Sequence, residues 1–198
     1  AVPDRGRGEY GVGRVIARPF TGTAPDFRRT ENRRDFSLVP PKDTMLNNLS
    51  KEGFDVIGVG KIYDIFDGEG ITEKIKTGTN DIGMAATDKL IDKDFNGLAF
   101  INLVDFDMVY GHRNDVDGYA RAFSEFDSWL PRFIEGMSDR DVLIITADHG
   151  CDPGFKGTDH TREYVPFLMY GEKIKPENAG TIDGFTYVSD CVKKLLNG

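Results

Sequence analysis

The segment GLAFINLVDFDMVYGHRNDVDGYARAF, residues 97–123, decides the fold. It opens with an apolar run over 97–104, which is typical of a strand buried on both faces of a sheet. It closes on the start of an amphipathic helix, which the sequence predicts over 115–137. We expect that helix to turn these positions towards a core: Ala120, Phe123, Phe126, Trp129 or Leu130, and Phe133. A buried strand followed by an amphipathic helix is the unit from which α/β proteins are built.

The same alternation of strand and helix continues through residues 42–198. Buried strands are predicted, besides the one at 97–104, at residues 54–60, 141–147 and 164–170. Helices are predicted at residues 44–53, 79–94, 115–137 and 187–198. The helix at 79–94 is expected to bury Ile82, Ala85, Ala86 and Leu90. These patterns predict an α/β fold with a largely parallel sheet covered by helices, and ligands beyond the carboxyl ends of the strands.

Residues 1–41 have a different composition, being rich in arginine and glycine and poor in long apolar runs. A short strand is predicted from Arg14 to Phe20. At the end of this region Pro40 and Pro41 favour a stiff, extended backbone, because the proline ring restricts its own residue and the one before it. The sequence therefore predicts a boundary at this hinge, with one unit over 1–41 and another over 42–198.

The overall composition excludes several classes of protein. A net charge of −8 and a pI near 4.9 argue against nucleic acid or an anionic membrane as the main partner. No apolar run approaches the ~20 residues that span a bilayer, so no membrane partner is expected. The two cysteines, Cys151 and Cys191, give no disulfide framework. A reducing, cytoplasmic location is therefore the default expectation.

All three histidines of the chain follow predicted strands and lie near aspartates. Because parallel strands end at one edge of a sheet, we expect these side chains to meet there. Mixed imidazole and carboxylate ligands suit Zn²⁺ or Mn²⁺ better than Ca²⁺, and two such cations about 3.5–4 Å apart can clamp a transferring phosphoryl group. The candidates are Asp105, Asp107 and His112 after the strand at 97–104, and Asp148, His149 and His160 after the strand at 141–147.

Some of the neighbouring residues have a less specific interpretation. Asp105 and Asp159 can support a ligand or cap a helix instead of binding metal, and for Asp105 that is the preferred interpretation. Cys151 is interpreted as a small packed residue rather than a thiolate ligand or nucleophile, because no base is specifically paired with it. Gly6, Gly8 and Gly11 match a dinucleotide-binding spacing, but a strand follows them where that motif requires a helix.

The arginines near the start of the chain are candidate phosphate ligands. A guanidinium can bind phosphate through two parallel N–H donors. The other interpretation is a solvated basic face, and the spacing favours neither. The arginines concerned are Arg14, Arg18, Arg28, Arg29, Arg33 and Arg34.

Three motifs carry a resemblance to a known family. TADHG, the Asp–x₄–His of DFDMVYGH, and TDHTREYVP resemble the metal-binding half of the alkaline phosphatase superfamily. Within it, GHRNDVDGYARAF, GRVIARPF and TDHTREYVP are similar to the phosphopentomutase family. The resemblance implies an isomerase that moves a phosphoryl group between C1 and C5 of ribose or deoxyribose. It also implies two Mn²⁺ ions, a phosphorylated threonine and a sugar bisphosphate activator.

The resemblance also assigns roles by position. Asp107, His112 and His160 would hold one Mn²⁺, and Asp148 with His149 would hold the second. Residues 1–41 would be the remnant of a cap domain. There Arg14 and Arg28 would face the 5-phosphate of the pentose phosphate substrate, with Arg18 or Arg29 as alternatives to either.

The chain departs from the family in its length. Members of the family are longer, and the additional portion precedes the part that this chain resembles. That portion brings a further metal-binding aspartate, the nucleophilic threonine and most of the cap. The resemblance therefore implies a carboxyl-terminal half that has no mutase turnover alone and has the amino-terminal half as its partner. Two other functions stay open: a phosphatase or phosphodiesterase of the same superfamily, and a non-catalytic metal-binding fragment.

Overall fold

The computed structural model describes residues 14–30 and 34–197. Its centre is a parallel sheet of three strands in the order β6 (Glu73–Ile75), β5 (Asp55–Val59) and β7 (Gly97–Ile101). The register pairs Asp55 with Gly97 and Val59 with Ile101. Because β5 has a strand on each side and helices over both faces, its apolar side chains are among the most deeply buried of the described chain. The α/β prediction is confirmed.

The side chains of the sheet alternate between two apolar layers, as the pleat of a strand requires. One layer contains Val56 of β5 with Leu46 and Leu49 of α1 (Met45–Lys51) and Val192 of α5 (Thr186–Asn197). The other layer contains Ile57, Val59 and Leu90, with Ile75, Ala99 and Ile101 packed against them. The sheet is therefore covered on both faces.

The predicted helix at 44–53 is the observed α1. Thr44 caps it through a reciprocal arrangement in which the Thr44 backbone N–H donates to Asn47 Oδ1 at 2.8 Å. The chain leaves the helix through Gly53, whose φ of +89° lies in the region that favours glycine. A short helix, α2 (Ile62–Ile65), follows β5.

The next helix, α3 (Asn80–Asp88), is shorter than predicted and turns a different face inward. Ala86 and Leu90 pack in the core as expected, but Ile82 is 54% exposed and Ala85 is also exposed. Gly83, Met84 and Thr87 are buried in their place. The predicted face was wrong at those two positions, and Leu90 lies beyond the helix and reaches the core from a turn.

The longest helix is α4 (Val116–Gly136), and Asp115 caps it by accepting a hydrogen bond from the Gly118 N–H at 2.9 Å. Its attachment to α3 is polar as well as apolar, since Trp129 Nε1 donates to Asp88 Oδ1 at 2.8 Å. The expected inward positions are only partly confirmed. Ala120 and Phe123 are exposed, whereas the other expected positions are partly buried: Phe126, Trp129, Leu130 and Phe133.

The last two predicted strands form a separate antiparallel pair, β8 (Leu143–Thr146) and β9 (Phe167–Tyr170). The connection between them contains no helix, and a parallel neighbour would need a crossover connection of that kind. Ile144 nevertheless packs against the layer that holds Leu46 and Val192. The antiparallel pair therefore lies beside the parallel sheet and shares one of its apolar layers.

The segment before α1 forms two small antiparallel ribbons. In one, β1 (Arg14–Ala17) pairs with β4 (Arg34–Ser37), and in the other β2 (Phe20–Thr21) pairs with β3 (Arg28–Arg29). The single strand predicted from Arg14 to Phe20 is interrupted at Pro19, which has no N–H for pairing. The Ser37 hydroxyl donates to the Asp64 carbonyl at 2.8 Å, which ties this segment to the end of α2.

Among the helices of the described residues, none is both long and apolar enough to cross a membrane.

Candidate metal centre

Asp107 lies just beyond β7, in a turn that the sequence did not predict. The chain passes through a π-helix (Phe106–Tyr110) and a 3₁₀ turn (Gly111–Arg113) before α4 begins. Phe106 packs on the ring of Phe123 of α4, with centroids 4.8 Å apart, so the π-helix is held against the long helix. This support fixes the backbone that carries Asp107 and His112.

Asp105 serves this turn structurally. Its carboxylate accepts a hydrogen bond from the Asn80 backbone N–H at 2.7 Å, and its own N–H donates to Asn80 Oδ1 at 2.9 Å. The pair joins the exit of β7 to the first turn of α3, where a carboxylate is favoured by the helix dipole. The supporting role preferred for Asp105 agrees with these contacts.

The Asp107 carboxylate is the meeting point of two histidines that are distant in sequence. Its Oδ1 lies 3.2 Å from His112 Nε2 and 3.2 Å from His160 Nε2. His149 joins from β8, since one ligand atom from each of Asp107, His149 and His160 lies within 4.8 Å of the others. Metal–ligand bonds of about 2.0–2.2 Å allow one ion to bridge atoms at close to this separation.

The three imidazole rings are stacked, with His160 in contact with both of the others. The centroids of His149 and His160 are 3.6 Å apart, and those of His112 and His160 are 5.0 Å apart. The loop that carries His160 therefore folds back over the edge of the sheet, which joins the two predicted groups into one centre.

Two of the histidines have their Nδ1 atoms engaged by backbone carbonyls. His112 Nδ1 lies 2.5 Å from the Thr158 carbonyl oxygen, and His149 Nδ1 lies 3.0 Å from that of Gly150. A carbonyl can only accept, so each Nδ1 is the ring nitrogen placed to donate to the backbone, and each Nε2 faces a carboxylate oxygen. Nε2 is therefore the ring atom directed towards the centre, next to a carboxylate, and imidazole with carboxylate is a donor set that fits a divalent cation.

The other predicted ligand, Asp148, lies at the edge of this centre. Its side chain is 72% exposed, and its Oδ1 is 3.6 Å from His149 Nε2. It is thus next to the cluster of Asp107, His149 and His160 without being part of it.

The predicted phosphate ligands lie in the ribbons before α1. Arg28 is exposed on β3, and Arg18 is exposed between β1 and β2. Arg14 begins β1, but its side chain and those of Arg29 and Arg34 lie outside the described residues, as do all of Arg33 and the glycines at 6, 8 and 11.

Cys151 packs beneath the centre as a neutral thiol. Its Sγ is 3.8 Å from Asp107 Oδ1, and burial followed by the charge of Asp107 raises the pKa of the Cys151 thiol. A thiol held neutral in this way is a poor nucleophile. This geometry agrees with the interpretation of Cys151 as a packed residue.

Sequence reasoning missed three polar residues near the centre. Lys61 comes two residues after the end of β5, much as the acidic residues come shortly after β7. Its side chain contacts Met108 of the π-helix. Its position after a strand was a usable signal. Thr161 and Glu163 form a hydrogen bond of 2.8 Å beside the loop, and this bond is the first cause of a lowered pKa of the Glu163 carboxyl. No spacing rule indicates that pair.

An α/β sheet whose strand ends bring a carboxylate and three imidazoles together is typical of metal-dependent enzymes. The chain belongs to the Metalloenzyme superfamily, whose family model matches residues 2–197.

Within this superfamily, the chain is similar to curated phosphopentomutases. The chain is 56% identical over 192 residues to the phosphopentomutase of Lachnoclostridium phytofermentans and 54% identical over 190 residues to that of Carboxydothermus hydrogenoformans. It is 51% identical over 192 residues to that of Clostridioides difficile. Each alignment covers 96% of this chain and 49% of the relative, so the chain spans about half the length of the curated relatives it matches. The resemblance to the phosphopentomutase family is confirmed.

Proposed function

We propose that the chain is the metal-binding, carboxyl-terminal half of a phosphopentomutase, which interconverts (deoxy)ribose 1-phosphate and (deoxy)ribose 5-phosphate. The observation that carries the proposal is the convergence of Asp107, His149 and His160 at the sheet edge. The similarity to phosphopentomutases over 96% of the chain supports the choice of reaction.

The proposed cofactor is a pair of Mn²⁺ ions. Asp107, His112 and His160 hold one ion, and Asp148 with His149 hold the other. The 3.2 Å contacts of Asp107 with two histidines support the first set, and the closeness of His149 to that set supports two adjacent ions. When bound, such ions neutralise charge on the phosphoryl oxygens and make a hydroxyl nucleophile reactive.

Cationic side chains are proposed to bind the substrate phosphate. Residues 1–41 form the remainder of a cap domain, in which Arg14 and Arg28 face the 5-phosphate and retain a sugar bisphosphate that serves as activator. Lys61 adds a positive charge on the side of the sheet, since it contacts Met108 next to the metal ligand Asp107. Retention by several cations favours a mutase over a phosphatase, because a phosphatase must release the group to water.

The proposed partner of this chain is the amino-terminal half of the protein. Within the described residues β7 pairs only with β5 and β8 only with β9, yet both pack on the layer around Leu46. Each of these two strands therefore has one edge without a strand partner in this part of the chain, which a further strand can pair with. A strand paired with β7 and running parallel to it would end at the metal centre and contribute residues to it.

The proposed metal ligands are tested by calorimetric titration of the chain with Mn²⁺. We expect His112→Ala and His160→Ala each to lower the affinity by more than about 100-fold, because the loss of a direct ligand exceeds the 10–100-fold effect of a supporting residue. Asp105→Asn, which keeps an acceptor for the Asn80 N–H, is the matched control and should bind within a few-fold of wild type. Equal affinity of wild type and both histidine variants would contradict the ligand set.

The reaction is tested with the two halves together. A coupled assay of ribose 1-phosphate conversion should show no turnover for this chain and measurable turnover after co-expression with the amino-terminal half of a curated relative. Release of inorganic phosphate without ribose 5-phosphate would identify a phosphatase instead. Turnover by this chain alone would contradict its assignment as one half of the enzyme.

A further inference from the structure

The loop that brings His160 to the centre has almost no regular structure of its own. Residues 152–160 are mostly exposed and contain neither helix nor strand. His160 nevertheless lies 3.6 Å, centroid to centroid, from the ring of His149. Something must therefore fix the end of the loop against the exit of β8, since an unrestrained loop loses this geometry to conformational entropy.

Thr161 makes the contacts that close the loop. Its backbone N–H donates to the Gly150 carbonyl at 3.1 Å, which forms an isolated antiparallel bridge immediately after each of the two histidines. Its hydroxyl accepts a hydrogen bond from the Asp152 N–H at 2.8 Å and donates one to Glu163 Oε1 at 2.8 Å. One hydroxyl thus connects both sides of the loop.

Glu163 completes this arrangement from the other side. Its carboxylate accepts the hydrogen bond from the Thr161 hydroxyl, and the backbone N–H groups of Cys151 and of Glu163 itself help to lower the pKa of the Glu163 carboxyl. It also occupies the space over Gly150, where an added Cβ would lie 2.6 Å from the carboxylate carbon. The carboxylate therefore lies against the backbone that follows His149 and binds the side chain that follows His160.

We propose that Thr161 is a positioning residue of the metal centre: its hydroxyl, supported by the Glu163 carboxylate, holds His160 over His149. The inference rests on the proposed function in that His160 is taken to be a metal ligand, but the loop contacts themselves do not depend on any ion. Thr161 and Glu163 touch neither metal nor substrate in this role. They act by raising the fraction of molecules in which His160 is positioned to bind the metal ion.

The first experiment compares Thr161→Val with Thr161→Ser. Valine keeps the shape of threonine and removes the hydroxyl, whereas serine keeps the hydroxyl. We expect Thr161→Val to weaken Mn²⁺ binding by about 10–100-fold, the range found for residues that orient a ligand, and Thr161→Ser to remain within about threefold of wild type. Thr181→Val, at an exposed threonine in the loop before α5, is the matched control and should bind as wild type does.

The second experiment is done without metal and separates this inference from the proposed function. NMR should show contacts between the His149 and His160 rings and slow exchange of the Asp152 amide in wild type and Thr161→Ser, and should lose both in Thr161→Val. If wild type bound no Mn²⁺ but showed this dependence on Thr161, the metal function would fail and the positioning role would stand.

Two results would overturn the positioning role. One is a folded Thr161→Val variant with wild-type ring contacts and affinity. The other is a loss of binding in Glu163→Gln with intact ring contacts, which would make Glu163 a ligand in its own right. If Thr161→Val does not fold, Glu163→Ala still decides the matter, because it removes the acceptor of the Thr161 hydroxyl and must weaken ring contacts and affinity together.

Discussion

Gly111 and Cys151 form the closest packing at the candidate centre. A Cβ on Gly111 would lie 2.1 Å from Cys151 Sγ and 2.9 Å from the Phe106 carbonyl oxygen. Gly111 ends the π-helix that carries Asp107, so Gly111→Ala must displace either the thiol or the turn. We expect it to lower the free energy of unfolding by about 1–3 kcal/mol, the usual cost of overpacking, in urea denaturation of the metal-free chain.

The control for this substitution is Gly78→Ala, since an added Cβ there meets nothing within 4 Å. Its stability should stay within about 0.5 kcal/mol of wild type. A second substitution, Cys151→Ala, removes the nearer obstacle and should recover part of the loss in the double variant. If Gly111→Ala is as stable as Gly78→Ala, the tight contact with Cys151 does not exist in solution.

Some residues of the candidate metal centre could be predicted from the sequence, and others could not. The histidines were recognisable because the chain has only three and each follows an apolar run near an aspartate. Thr161 and Glu163 were not, because their roles depend on hydrogen bonds of the Thr161 hydroxyl with Asp152 and Glu163 that form only when the loop is closed. The spacing of residues along the chain identifies side chains that follow a strand and so lie at the edge of the sheet. It does not identify which neighbouring side chains hold them in position through hydrogen bonds.

At the scale of elements, apolar patterns predicted the strands and helices but not their neighbours. The strand at β9 was expected from its composition, while its antiparallel pairing with β8 depends on the helix-free connection between them. The face of α3 was misjudged for a related reason. Leu90 follows the periodicity of the helix although the helix ends at Asp88, and Leu90 lies in the turn that follows it.

The hydrogen bond between Trp129 of α4 and Asp88 of α3 is expected to contribute to the stability of the fold. Asp88 accepts a hydrogen bond from Trp129 Nε1 at 2.8 Å and one from Arg132 at 3.0 Å, so Asp88→Ala leaves the partly buried indole N–H without its acceptor. We expect a loss of about 1–2 kcal/mol in the free energy of unfolding, since an unsatisfied polar group retains its desolvation cost. The Arg132 contact is exposed and should add little.

Denaturation of three variants measures this contribution. Asp88→Asn keeps an oxygen acceptor for Trp129 and should lose less than half as much as Asp88→Ala. Asp92→Ala removes an exposed carboxylate a few residues further on and should be close to neutral. Equal stability of Asp88→Ala and Asp92→Ala would mean that α3 is held by apolar packing alone.

The antiparallel pair of β8 and β9 has an apolar face that nothing in the described residues covers. Leu168 and Tyr170 of β9 are 59% and 53% exposed and point to the same side of the strand. The opposite side is covered, since Phe167 packs on Tyr187 of α5 with centroids 5.2 Å apart. A strand face exposed in this way is typical of a surface that another segment covers, and the amino-terminal half is the proposed occupant.

A substitution on that face of β9 can weaken binding of the amino-terminal half without changing the stability of this chain. Leu168→Lys places a charge on a side chain that is already exposed, so the thermal stability of the chain should change by no more than about 0.5 kcal/mol. Its affinity for the amino-terminal half of the Lachnoclostridium phytofermentans relative should fall by at least tenfold, because an unpaired charge would be buried. Leu195→Lys, at an exposed position of α5, the helix that packs on the opposite side of β9, is the control and should leave the affinity unchanged. If Leu168→Lys assembles as wild type does, the amino-terminal half does not cover this face of β9.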